Sequence, residues 1–319
     1  MKIRRNKSQV IAVAFMATFS TIYPAHSASL DLSKISVLSS ENISTASVDG
    51  HLEVYLNSFR PNTQIFFKVN LNNSDPTSLI SNGSKLDLAA NGTFQFSTTS
   101  GSTLDQSSIK DSIRTFTDPS GTTILKVLPT PPDFPITSFT GDTSLIAKKQ
   151  ILSTPVVNNG TYALATQGSQ INYFVKSPNN LIGFRQIDDT SLSPSVGGVP
   201  YYAYLEQTDF GVTATSPGIW RLLDKNFNSL ERINKIKTKF GYLNSEGHGM
   251  TTSPNGNAVV ITTPTRQVDS SWLKRQYKLP ILDCDIAEVR NGVAIREFSF
   301  WDWAVAHKAI AQPMFDAMP

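Results

Sequence analysis

The fold is decided by a predicted hairpin, EGHGMTTSPNGN at residues 246–257 followed by AVVIT at residues 258–262. Proline sets φ at the turn, and Asn255-Gly256 supplies the positive φ angles that a tight turn needs. His248 stands between two glycines on the first strand. Glycine has no side chain, so a ligand can approach the backbone there and leave the imidazole reachable. We therefore interpret His248 as the candidate catalytic residue; the alternative is a histidine hydrogen-bonded at a strand end.

Two further hairpins are predicted on either side of this one, at residues 218–233 and 285–298. Their turn centres lie near residues 227 and 291, so the three turns recur roughly every 30 to 35 residues. Paired hairpins at such an interval are typical of β-propeller blades. We predict a partial β-propeller over residues 150–319, and a second β-sandwich would give a similar pattern.

The preceding part of the chain, residues 28–135, is predicted to form a small N-terminal β-sandwich. Residues 52–56 alternate apolar and polar side chains, as a half-buried strand does. Asn91-Gly92 predicts a hairpin between residues 86–88 and 93–96. The proline-rich stretch 129–135 removes backbone donors and cannot be a central strand. It predicts a linker, with the domain boundary between residues 129 and 150; the chain as a whole is expected to be all-β.

The first 27 residues have the pattern of a secretory signal peptide: a basic front, a short apolar run and small residues before Ala28. The formal charge of +3 comes from 28 basic and 25 acidic residues, and four of the basic ones lie in this segment. The remainder is therefore close to neutral, which argues against a nucleic-acid partner. We expect a periplasmic or secreted protein that has no membrane association once the signal is cleaved.

One cysteine, Cys284, excludes an internal disulfide framework. We expect its thiol to be buried as a small apolar group; the alternatives are an exposed thiol or an intermolecular bridge. The sequence has no His/Cys cluster with metal-ligand spacing and no phosphate-cradling glycine loop. No metal and no cofactor are therefore predicted.

The run EGHGMTTSPNGNAVVI (residues 246–261), with DIAEVRNGVAIREFSFWDW (residues 285–303), resembles the PAPS-independent arylsulfotransferases. The resemblance implies an exported protein with a small β domain followed by a β-propeller. It also implies sulfuryl transfer from a small phenolic sulfate donor to a phenol acceptor through a histidine intermediate. In that scheme His248 matches the first histidine of the family's motif and would bind sulfuryl oxygens rather than carry the covalent intermediate.

The sequence departs from the family pattern after residue 303. The nucleophilic histidine and its arginine partner lie in later segments of the family, and His307 is not in a matching motif. The expectation is therefore an incomplete chain that lacks the nucleophile and is inactive as written. Arg266 and Arg275 lie between the two motif hairpins, where they could reach a sulfuryl group. Arg266 is our candidate substrate-binding residue; the alternative is a solvated loop.

Three hypotheses follow. The first is an exported arylsulfotransferase-like protein. The second is a non-catalytic exported β-rich protein that binds a ligand or partner, and the third is a structural surface protein. The sequence does not indicate an oligomeric state.

Overall fold

The computed structural model describes residues 31–72, 78–109, 113–135, 144, 149–187, 201–208, 217–274 and 280–317. The predicted signal segment and Arg275 lie outside these ranges. The described chain confirms the all-β class: it consists mainly of β-strands, with two short α-helices at residues 300–316. None of the helices in the described ranges has the length and apolar character needed to cross a bilayer.

Residues before the linker form two sheets that share one core. Sheet 1 has the strand order β1-β5-β8, and sheet 2 has the order β2-β3-β11-β10-β6-β7, with β3 and β11 parallel. Two further short strands, β4 and β9, belong to neither of these sheets. The strands before the linker are β1 (Ser36–Ser39), β2 (Ile43–Val48), β3 (His51–Leu56), β4 (Ser58–Phe59), β5 (Gln64–Asn70), β6 (Ser78–Ser81), β7 (Ser84–Asp87), β8 (Thr93–Thr99), β9 (Leu104–Asp105), β10 (Arg114–Thr117) and β11 (Thr123–Leu128). Short 3-10 helices lie at Leu32–Lys34 and Gln106–Ser108.

Alternation along the strands builds this core. In β5 every second residue is buried, and Phe67 stacks on Phe96 of β8 with ring centroids 4.7 Å apart. Phe116 of sheet 2 packs against the Phe96 ring, with ring centroids 4.7 Å apart. The two sheets therefore contact each other through aromatic side chains.

The hairpin predicted at Asn91-Gly92 is wrong. A turn forms there, with Gly92 at φ +74°, but β7 pairs with β6 in sheet 2, whereas β8 pairs with β5 in sheet 1. The turn carries the chain from one sheet to the other, because the aromatic face of β8 is buried against β5. The residues of the turn determine that the chain reverses direction there, whereas tertiary packing determines which strands β7 and β8 pair with.

Sheet 3 joins the two halves of the chain. Its strands are β12 (Ile151–Ser153), β13 (Val156–Val157), β14 (Gly160–Gln167) and β15 (Gln170–Ser177), together with β4 and β9 from before the linker, which both pair with β15. Phe134 of the linker packs against Tyr162 and Phe174, with centroids 5.3 and 4.8 Å away. The predicted domain boundary stays a prediction, and strand pairing crosses it.

The next layer is buried on both faces. It contains β16 (Leu181–Gln186), β17 (Tyr202–Gln207), β18 (Pro217–Leu223) and β19 (Ser229–Ile233). Tyr202 and Tyr204 pack towards sheet 3, whereas Ala203 and Leu205 pack towards the following strands. Burial on both sides explains the unbroken apolar run in β17.

The last strands close into a five-stranded barrel. Its members are β20 (Lys235–Thr238), β21 (Gly241–Thr252), β22 (Ala258–Thr262), β25 (Asp285–Arg290) and β26 (Val293–Ser299). Each pairs with the next, and the parallel pair Lys237↔Val293 joins β20 to β26 and completes the ring. The three predicted hairpins are confirmed as β18–β19, β21–β22 and β25–β26. No propeller is shown.

Two small elements cover one end of the barrel. The first is a two-stranded sheet formed by β23 (Thr265–Arg266) and β24 (Ile281–Leu282). The second is a helix pair, α1 (Phe300–Ala306) and α2 (Lys308–Asp316). Helix α1 follows β26 directly, so the barrel wall fixes where the helix starts.

Candidate functional site

His248 lies on β21 at a break in the strand ladder. The pairing with β22 runs through Ser245↔Thr262 and resumes only at Met250↔Val260, so residues 246–249 bulge out of register. The side chain of His248 lies outside the described residues. Gly249 is packed: a Cβ atom there would sit 3.3 Å from Ile261 Cδ1. Close packing therefore accounts for this glycine, and the catalytic role of His248 stays a prediction.

Arg266 is held in a polar network at the barrel end. Its Nη1 donates to Asp283 Oδ2 at 2.7 Å and to Ser299 Oγ at 2.8 Å, and its Nη2 donates to Asp302 Oδ1 at 2.7 Å. The guanidinium also lies over the Phe240 ring, 4.5 Å from the centroid. A substrate anion would compete with two carboxylates for this cation. Substrate binding by Arg266 stays a prediction.

Asp283 is the centre of the same network. Its Oδ1 accepts from the backbone N–H groups of Cys284 and Trp301 at 2.9 and 3.1 Å, and its Oδ2 accepts from Arg266 and Ser299. Four donors therefore converge on one carboxylate. Because one of these donors is the backbone of Trp301, Asp283 also anchors α1 to the barrel.

Asp285, two residues further on, has no comparable set of donors. It is 1% exposed, and neither carboxylate oxygen meets a hydrogen-bond partner among the described residues. Burial, and then the negative charge of Asp283, raise the pKa of Asp285 from its ordinary 3.8 to about 7, against the opposing effect of Lys239 and Arg266. In its protonated form Asp285 can donate a hydrogen bond to Asp283.

The position of Asp285 follows from strand register. Ser245, Thr262, Asp285 and Ser299 are paired across four neighbouring strands, and all four are buried. The barrel is therefore apolar along most of its length and polar at this end. The hydroxyl of Thr262 is also buried with no hydrogen-bond partner in the described part of the chain. We call Lys239, Arg266, Asp283, Asp285, Ser299 and Asp302 the barrel-end network.

A cleft of about 380 Å³ opens beside this network, between the segment after β23 and the two helices. Its wall includes Trp272, Trp301 and Lys308, together with Arg266, Asp269 and Asp302. The two indole rings lie 5.8 Å apart, and Lys308 Nζ lies 5.7 Å from the centre of the Trp272 ring. We call this the tryptophan cleft. It combines aromatic surface with charged groups of both signs.

A second cavity of about 380 Å³ also touches Trp301 and is lined mainly by Ile281, Leu282, Phe300 and Phe315, with Cys284 at its wall. The Cys284 thiol, expected to be buried, is exposed. Asp283 and Asp285 on either side are buried, and strand alternation turns the residue between them outwards. Partial loss of solvent around the sulfur, and then the charges of the nearby carboxylates, raise the pKa of the Cys284 thiol.

His307 lies at the junction of the two helices. Its ring stacks on Trp303 with centroids 5.1 Å apart, and its Nδ1 lies 2.8 Å from the Trp303 carbonyl oxygen. These contacts are those of a residue that ends a helix.

Sequence reasoning missed Asp283, Asp285, Trp272 and Trp301. The Asp-Cys-Asp triplet at residues 283–285 was a usable signal, because it places two carboxylates on one side of a strand start. The contact between Trp272 and Trp301 had no such signal, since it joins segments far apart in sequence.

Within the described ranges, no group of three or more His, Cys, Asp or Glu side chains is arranged to hold a metal ion. No family model, curated protein or solved structure matches the chain. The arylsulfotransferase resemblance therefore stays a prediction.

Proposed function

We propose that this protein binds a small aromatic ligand in the tryptophan cleft. The observation that carries the proposal is the pairing of Trp272 with Lys308 at the wall of a cavity whose volume suits a small molecule. An aromatic ring can pack on the partly exposed Trp272 indole, and an anionic substituent can reach the exposed Lys308 ammonium.

Phenolic sulfates are the ligand class that the family resemblance adds. They combine a planar ring with one negative charge, which agrees with the composition of the cleft. Arg266 and Asp302 also line the cleft, and they are already paired with each other. In this proposal Arg266 and Asp302 shape the wall of the cleft, and the Lys308 ammonium pairs with the anionic group of the ligand. Phenols are the matching neutral ligands.

The test is isothermal titration of the purified protein with 4-nitrophenyl sulfate and with phenol, which is neutral at pH 7. We expect Trp272→Ala to weaken binding of both about fivefold, since stacking on an aromatic ring is worth about 1 kcal/mol. Lys308→Gln should weaken binding of the sulfate only. Trp303→Ala is the matched control, because Trp303 lies on the same helix as Trp301 but does not line the cleft. Unchanged affinity in Trp272→Ala would refute the proposal.

Sulfuryl transfer is a second candidate, favoured by the position of His248 in the bulge of β21. In such a reaction the S–O bond of the donor breaks as an S–N bond forms on a histidine, and the donor phenolate leaves. The oxygen of the acceptor phenol then attacks sulfur, the S–N bond breaks, and the phenol proton passes to the released histidine nitrogen. The resemblance that suggests sulfuryl transfer also implies a β-propeller made of blades. It further implies export of the protein, with cleavage before Ala28.

The transfer test offers 4-nitrophenyl sulfate with excess phenol and follows nitrophenolate release. If the reaction occurs, His248→Ala should reduce its rate; a rate that this substitution leaves unchanged removes His248 from the mechanism. Binding without release of nitrophenolate supports the binding function alone. The intact mass of the protein exported by the native host tests cleavage before Ala28.

A further inference from the structure

Arg185, on β16, is a cation on an otherwise apolar face. Its strand has a bulge between Ile182 and Arg185, where Gly183 adopts φ +64°. The extra residue lets Leu181 and Phe184 both face the tyrosines of β17, while Ile182 and Arg185 share the opposite face. That opposite face belongs to the core around Trp220, so the bulge directs Arg185 into apolar surroundings.

Among the described residues, the guanidinium of Arg185 has no ionic partner on this face. It lies over the Trp220 ring, 4.8 Å from the centroid, and its Nε and Nη2 atoms are buried without a hydrogen-bond partner in the described part of the chain. Burial lowers the pKa of Arg185, which is the expected direction when a cation loses water and gains no anion. The core cluster around Trp220 also contains the aliphatic residues Ala203, Leu205 and Leu222.

A buried cation without a partner is strongly unfavourable, and proteins normally pair it. The two free atoms, Nε and Nη2, form one edge of the guanidinium fork. That edge presents two parallel N–H donors with the spacing of the oxygens in a carboxylate, sulfate or phosphate. The two unpaired N–H donors of Arg185 therefore favour a ligand that is negatively charged and that presents two oxygens at this spacing.

Trp220 fixes the position of this fork. Its ring is fully buried, and its Nε1 donates to the Glu246 carbonyl oxygen at 3.3 Å, so the indole is tied to the bulged stretch of β21. Gly183 lies against the far edge of the ring, where a Cβ atom would be 3.9 Å from Trp220 Cη2. Arg185 is only partly buried as a residue, whereas its Nε and Nη2 atoms are buried.

We propose that Arg185 and Trp220 form a binding site for an organic oxyanion, a carboxylate, phosphate or sulfate carried on an apolar group. The charged end pairs with Nε and Nη2, and the apolar part contacts the aliphatic face beside Trp220. This site is separate from the tryptophan cleft, so either can fail without the other.

The test measures binding of benzoate, phenyl phosphate and phenyl sulfate by calorimetry and thermal shift at constant ionic strength, with benzyl alcohol as the neutral probe. At least one anion should bind and raise the melting temperature, and benzyl alcohol should not; which anion binds best identifies the oxyanion. These measurements are repeated in Trp272→Ala, so that binding in the tryptophan cleft is subtracted.

Arg185→Met should lower affinity for the anion at least about tenfold, because two charge-assisted hydrogen bonds are lost. The same change should raise the melting temperature of the ligand-free protein, since methionine carries no charge to bury. Arg185→Lys keeps the charge but loses the fork and should also bind more weakly. Arg114→Met is the matched control: Arg114 also lies over aromatic rings, Phe96 and Phe116, but donates to Ser81 and Ser97.

Absence of binding by every anion would overturn the proposal. A lower melting temperature of ligand-free Arg185→Met would also overturn it, because it would show that a carboxylate of the protein itself holds the guanidinium. Should Arg185→Met not fold, Arg185→Lys decides by the affinity measurement alone. Equal affinity in Arg185→Lys and the unmodified protein would also overturn it.

Discussion

Two ionisable side chains, Asp285 and Arg185, lie in surroundings that penalise their charge. Asp285 resolves the conflict by holding its proton more tightly, because burial, and then the charge of Asp283, raise its pKa to about 7. Arg185 cannot release a proton at physiological pH, so an anion has to meet it. The free-energy cost of burying a charge thus predicts a pH-dependent stability from Asp285 and an anion-binding site at Arg185.

The stability of the protein should depend on Asp285. Its folded pKa of about 7 lies above the ordinary 3.8, so the folded state holds the proton more tightly. The stabilisation is fully present below pH 3.8 and is lost as the pH rises towards 7. Asparagine cannot ionise, so Asp285→Asn does not lose this stabilisation as the pH rises. We expect the variant to be more stable than the unmodified protein at pH 8, by on the order of 4 kcal/mol, since each pKa unit is worth about 1.4 kcal/mol.

Urea unfolding between pH 4 and pH 8 measures this effect. The control is Asp87→Asn, which changes an exposed carboxylate in the N-terminal half. A stability profile of Asp285→Asn that runs parallel to that of the unmodified protein across this range would contradict the prediction.

At the scale of elements, helix α1 depends on one serine. Ser299 is the N-cap of α1: its Oγ accepts from the Asp302 N–H at 3.0 Å and donates to Asp283 Oδ2 at 2.7 Å. It also receives a hydrogen bond from Arg266. One side chain therefore connects the barrel, the helix and the barrel-end network.

Ser299→Ala should destabilise the protein by about 2 kcal/mol, the upper end for loss of an N-cap, because the buried Asp283 and the partly buried Arg266 also lose a hydrogen bond. Urea unfolding followed by tryptophan fluorescence reports both the loss and the loosening around Trp301. Ser120→Ala, at an exposed turn, is the control and should change stability by less than about 0.5 kcal/mol. Equal stabilities of the two variants would show that the cap is dispensable.

On the scale of the whole molecule, sheet 3 connects the two halves of the chain. Strands β4 and β9 from the first half pair with β15, and Phe134 fills the space between Tyr162 and Phe174. These contacts lead us to expect that the halves unfold together. A single calorimetric transition would confirm this, and two well-separated transitions would contradict it.

Phe134→Ala should cost about 3 to 5 kcal/mol, the usual range for truncating a buried phenylalanine, and should separate the unfolding of the two halves. Scanning calorimetry measures both effects. Phe66→Ala, at a position 55% exposed on β5, is the matched control and should leave one transition. If Phe134→Ala unfolds with the same midpoint as the control, the linker is not a structural joint.

The three C-terminal hairpins were predictable from the sequence, because their turns depend on local residues. Asn291-Gly292, for example, takes φ +52° and +73°, as the turn requires. Asn91-Gly92 shows the limit of that signal: the turn formed, but its flanking strands went to different sheets. The candidate site was predicted only in part. Arg266 was named, but its partners Asp283, Ser299 and Asp302 meet it across long stretches of chain.

The sequence by itself determined the all-β class, the alternation of buried side chains and the positions of the hairpin turns. Each depends on residues within a few positions of one another. Only the tertiary structure decided that β20 and β26 close a barrel and that Asp283 and Asp285 differ in environment. Those outcomes depend on which strand faces can be buried together, and that is a property of the assembled chain rather than of any segment.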